Sequence, residues 1–137
     1  MTTDGFAATI NLTGTRTSVR RARHFAQDLL GEGHPALDDI VLVVSELVTN
    51  ALTHSRSGEG GGTVNLTIRN TDRTVRVEVS DEGSATSVPH VRNEPEAEGG
   101  RGLHIISALA KEWGVTHRKS GVTIWCEVST GDGASDP

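Results

Sequence analysis

The chain is predicted to be α+β, a two-layer sandwich of a mixed, mostly antiparallel sheet with helices on one face. Three observations lead there. Short runs that alternate apolar and polar residues come in pairs, 63–69 with 74–79 and 115–117 with 122–128, and a period of two marks strands with one wet face. Longer runs carry apolar residues three and four apart, the period of an amphipathic helix. In chain order these runs read β-α-α-β-β-loop-α-β-β, which gathers the strands into one sheet with helices layered on it.

Taken in order, residues 7–12 alternate Ile10 and Leu12 and form an edge strand. Thr17 or Ser18 caps a helix running to about Leu30, with Val19, Ala22, Phe25, Ala26 and Leu29 as its apolar stripe. Its other face carries Arg20, Arg21 and Arg23, either a solvated helix face or a protein-binding patch. Gly31-Glu32-Gly33 stops this helix and His34-Pro35 turns the chain. A helix over 37–55 follows, burying Ile40, Val44, Leu47, Val48 and Ala51. The Gly/Ser-rich stretch 55–62 reads as a flexible loop. Val64, Leu66 and Ile68 face inward from one strand, and Val75, Val77 and Val79 from the next, with Asn70-Thr71-Asp72-Arg73 turning between them. Residues 84–99 have no period and form a lid loop. A helix over 103–113, stopped by Gly114, and a hairpin around Lys119-Ser120-Gly121 complete the domain.

With 137 residues the chain is long enough for one domain, over 7–129, between flexible tails at 1–6 and 130–137. Its core should be aliphatic, because aromatic residues make up only 3% of the chain. The net charge of −5, with no sustained basic run, argues against direct nucleic-acid binding. A lone cysteine, Cys126, allows no internal disulfide and fits a reducing cytosol. The N-terminus lacks signal-peptide features and no apolar run reaches membrane-spanning length, so a cytoplasmic location without membrane contact is expected.

Three stretches carry chemistry. Glu46 and Asn50 lie one turn apart on one face of the second helix, continued by His54. A carboxylate beside a carboxamide can orient a hydroxyl and offer an oxygen to Mg²⁺; a wet edge on an ordinary amphipathic helix has the same pattern. Val79-Ser80-Asp81-Glu82-Gly83 ends a strand, where a carboxylate can accept from an exocyclic amine and a glycine admits a ligand closely; a plain turn also fits. Gly99-Gly100-Arg101-Gly102-Leu103 opens a helix, whose unpaired amides and dipole favour a phosphate; a floppy lid end followed by a plain helix start also fits. The chain has no GxxxxGK[ST] P-loop, the GGRG run sits in no βαβ unit, and the six histidines show no zinc spacing.

SELVTNALTHS, VSDEG and EGGRGLHII, in that order, resemble the N, G1 and G2 boxes of the histidine-kinase-like (GHKL, or Bergerat-fold) ATP-binding domains. The small bacterial anti-sigma factor serine/threonine kinases are the most similar. The resemblance implies the Bergerat fold and binding of ATP and Mg²⁺. It also implies a protein serine/threonine kinase that binds a sigma factor and phosphorylates an anti-sigma-factor antagonist, and it suggests a homodimer. Under it Glu46 is the catalytic base and Asn50 the Mg²⁺ ligand. Asp81 and Gly83 hold adenine, while Gly100, Arg101, Gly102 and Leu103 form the phosphate-binding run. His54 stands where the family often has His or Arg and reads as structural. Two departures matter: Ala85 replaces the second glycine of the G1 box, and no phosphoacceptor-histidine helix is present. The alternative is a regulatory adaptor of the same fold, with or without ATP, that transfers no phosphate.

Overall fold

The structure, a computed structural model, describes residues 5–13, 17–54, 63–81, 98–118 and 121–130, with only the backbone for 53, 54, 98–103 and 118. β1 (Phe6–Thr13) is followed by α1 (Thr17–Leu30) and α2 (Leu37–His54), then β2 (Thr63–Asn70) and β3 (Thr74–Asp81). After these come α3 (Glu98–Leu109), β4 (Glu112–Arg118) and β5 (Gly121–Ser129). The strands make one five-stranded sheet in the order β1-β2-β3-β5-β4. Every described pair is antiparallel, so the expected mixed sheet is antiparallel throughout among the described strands. The α1–α2 hairpin brings the chain back beside β1, and two β-hairpins supply the rest.

All three helices lie on one face of this sheet. α1 packs on β1 and α2; α2 packs on β2, β3 and β5; α3 packs on α2 and β4. The registers align inward-facing residues into rungs that cross the sheet. One runs Ala8, Ile68, Val77, Cys126, Trp113; the next Ile10, Leu66, Val79, Ile124, Val115; the last Leu12, Val64, Asp81, Val122, His117. These rungs meet Ile40, Val43, Val44, Leu47 and Val48 of α2, all fully buried, in a core of aliphatic side chains. No helix among the described residues is long and apolar enough to cross a membrane.

α1 begins where Ser18 Oγ, fully buried, donates to the Thr13 carbonyl at the end of β1, and it ends at Gly31, whose φ of +89° suits a residue without Cβ. α3 corrects the reading over 103–113: it starts at Glu98 and ends at Leu109. Gly114 is not its stop. Ala110 N–H closes the last turn on Ile106 O at 2.8 Å, and Lys111 N–H already pairs with Glu127 O at 2.7 Å. Trp113 therefore lies in β4, opposite Cys126. The glycine run falls inside the helix because the low helix propensity of glycine is a weak preference that tertiary packing overrides. Of the expected 84–99 lid, residues 98 and 99 fall in the first turn of α3, while 84–97, Gly83 and both tails beyond residues 5 and 130 lie outside the described residues.

Candidate functional site

Two tethers determine which ends of the elements meet. His34 Nε2 donates to Asn70 Oδ1 at 3.1 Å, its tautomer set by Nδ1, which accepts from Ala36 N–H at 3.0 Å. This pins the start of α2 to the end of β2, the edge of the sheet opposite Asp81. From Leu37 to Asn50 the helix climbs about 20 Å. From Asn70 back to Val64, the neighbour of Asp81, β2 covers about the same distance. Asn50 thus arrives level with the rung that holds Asp81, and Glu46 lies one turn below it.

The second tether is at α3. Trp113 Nε1 donates to Ser107 Oγ at 3.1 Å, which folds the last turn of α3 against the start of β4. β4 runs from there toward His117, on the Asp81 rung, so α3 opens at the Asp81 end. Gly99 and Gly100 fall in its first turn, where amides have no intrahelical acceptor. Arg101, Gly102 and Leu103 follow in the helix.

The two edges of α2 face different neighbours. Ser45 turns toward α1, where Arg23 Nη1 reaches its hydroxyl at 3.5 Å while that hydroxyl donates to Val41 O at 2.9 Å. Glu46 and Asn50 lie beyond the wet face from Ser45, next to the buried Val43 and Leu47, on the flank that α3 approaches. Both are half-buried. The arginine face of α1 is therefore separate from the Glu46–Asn50 row.

The carboxamide oxygen of Asn50, Oδ1, is sealed from solvent, and among the described residues no group donates a hydrogen bond to it. A buried amide oxygen left so costs about 1–3 kcal/mol. An amide oxygen is also a suitable ligand for a hard cation such as Mg²⁺, so the residues present fit a magnesium-bound nucleotide. Asp81 Oδ1 is likewise excluded from solvent. Its residue sits between the fully buried Val64 and the half-buried Val122, so the rung opens from sealed core toward β5 and β4.

Residues 12–127 match the histidine kinase-like ATPase domain. The chain belongs to that family. It is 32% identical over 106 residues to the serine-protein kinase RsbW of Staphylococcus epidermidis, and 30% identical to that of Staphylococcus aureus strain MSSA476. Each match covers 69% of this chain and 66% of the relative, so the chain spans just under two thirds of these relatives' length. The fold is similar to the RsbU and RsbW domains of Rv1364c from Mycobacterium tuberculosis, with a TM-score of 0.60, 24% identity, and coverage of 90% of this chain and 33% of that one. It is also similar to the histidine kinase domain of the Erythrobacter litoralis EL346 blue-light activated histidine kinase, with a TM-score of 0.52, 22% identity, and coverage of 84% and 60%.

Within this histidine kinase-like frame the geometry brings Glu46, Asn50, Asp81 and the start of α3 to one end of the sheet. Gly83 lies outside the described residues, and of His54 only the backbone is described. Sequence reasoning placed Val122 and His117 in the second hairpin but not on the rung of Asp81, which depends on the register between β3 and β5. It also missed the His34–Asn70 tether, for which no local pattern exists because the partners are 36 residues apart.

Proposed function

We propose that the protein is an ATP-dependent serine/threonine protein kinase that acts as a cytoplasmic anti-sigma factor, binding a sigma factor and phosphorylating an anti-sigma-factor antagonist. The observation that carries this reading is the sealed Asn50 Oδ1, without a described donor, level with Asp81 and one turn from Glu46. In this reading Asp81 accepts from the exocyclic amine of adenine, and Gly83 keeps the backbone beside the base clear of side chain. The amides of the first turn of α3, Gly100 among them, meet the phosphates. Arg101 adds a charge-assisted contact, and Gly102, beside Leu103 in the next turn, leaves room for them. Asn50 offers its amide oxygen to Mg²⁺, which when bound neutralises phosphate charge. Glu46 takes the proton from the acceptor hydroxyl as the oxygen attacks.

Binding of the two protein partners is coupled to nucleotide through different affinities in the two complexes. Arg20, Arg21 and Arg23, on the flank of α2 away from Glu46, offer a surface for one of them. The second reading, an adaptor without transfer, is favoured by one residue, Ala85 in place of the second G1 glycine. Calorimetric titration with ATP, with and without Mg²⁺, separates the two. Saturable binding that depends on magnesium supports the kinase site; no heat at millimolar ATP leaves the adaptor.

A further inference from the structure

His117, near the end of β4, stands on the helix side of the sheet, in register with Val122 and through it with Asp81. Burial falls along this rung. Leu12 and Val64 are fully buried, Asp81 and Val122 half-buried, and His117 is exposed. A base bonded to Asp81 therefore has room along the rung only on the side away from Val64, across Val122 toward His117.

The other helix-side residues of β4 and β5 offer such a ligand no free polar group. Val115, Val122, Ile124 and Val128 carry none, the Cys126 thiol is buried, and Trp113 Nε1 is engaged by Ser107. Val122 and Ile124 make an apolar floor of the kind that suits the flat of a purine. His117 is the hydrogen-bonding side chain at the far edge of that floor.

Distance decides which part of the nucleotide reaches it. His117 lies two strand spacings from Asp81, about 9.5 Å. A hydrogen bond of about 3 Å to the exocyclic amine, then a purine roughly one strand spacing long, ends about 8 Å from Asp81. The sugar begins there. From it the phosphates continue toward the first turn of α3, which opens at this end of the sheet. We propose that His117 is a specificity-determining residue that hydrogen-bonds the ribose hydroxyls of the bound nucleotide. A neutral imidazole has one donor and one acceptor, which matches a pair of neighbouring hydroxyls. The inference rests on the ATP site of the kinase reading and adds to it a preference for a ribonucleotide.

The test is calorimetric titration of the full chain with Mg²⁺ and either ATP or a dideoxy analogue that lacks both ribose hydroxyls. The wild type should bind ATP roughly fivefold more tightly, the size of one net hydrogen bond. His117→Ala should remove that margin. ATP binding weakens roughly fivefold, while the dideoxy analogue binds as it does to the wild type. His117→Gln keeps a donor and an acceptor and should recover part of the margin. The position is exposed, and circular dichroism confirms that each variant is folded. Equal affinity of the wild type for the two nucleotides would overturn the inference and leave the ATP site standing. An alanine variant that weakens both nucleotides alike would do the same, since a structural role makes no distinction between them. A wild type that binds no ATP would remove the kinase site, and this inference with it.

Discussion

Glu46 and Asn50 are neighbours on one helical row, yet only Asn50 has a polar atom sealed from solvent without a described partner. With that buried oxygen Asn50 in the proposed reading belongs to binding; Glu46 is half-buried beside it, and in that reading belongs to transfer. Asn50→Ala is expected to weaken magnesium-dependent ATP binding at least about tenfold in calorimetry, and unchanged affinity would remove the metal role. Glu46→Ala should leave ATP affinity within about twofold and lower phosphotransfer roughly a hundredfold or more. Undiminished transfer to the antagonist in that variant would refute Glu46 as the base. Both residues could be read from the spacing of the second helix. That Asn50 Oδ1 is sealed could not, because burial depends on elements distant in the chain.

At the scale of elements, joints matter more than propensities. His34 caps the approach to α2 and ties it to β2 with the two nitrogens of one ring. His34→Ala removes both bonds and is expected to lower stability by about 1–2 kcal/mol in urea unfolding. Combined with Asn70→Ala the losses should fall short of additive, since one bond is shared. Gly114 is a second joint. Gly114→Ala sets a Cβ 2.8 Å from the Trp125 ring, which Arg76 covers. It should cost about 1–3 kcal/mol and shift tryptophan fluorescence. Strands and the first two helices were legible from period alone. α3 was displaced because Trp113 and Gly114 resemble a helix end, whereas pairing with β5 had already claimed them.

For the whole molecule, stability against pH has a built-in alkaline limit. Burial of Cys126 between Val77 and Trp113 pushes its thiol from 9.0 up to about 12; the Arg76 charge opposes this and that of Glu127 adds to it. A pKa raised by folding contributes stability that is complete below the unfolded value. That contribution is lost as pH climbs from about 9 to about 12, because the unfolded chain releases the proton first. Unfolding free energy should fall by up to about 1.4 kcal/mol per pH unit in that window. Cys126→Val should flatten the slope, as urea titrations at several pH values would show.

Period and turn chemistry were enough for the α+β class and the order of elements, since these depend on contacts along a few turns or one hairpin; the three boxes came from their resemblance to the histidine-kinase-like domains. The antiparallel order β1-β2-β3-β5-β4 and the height of Asn50, level with the rung of Asp81, came only with the tertiary structure. Each depends on the register between segments far apart in the chain, and register is set by packing one face of every strand against the same helices.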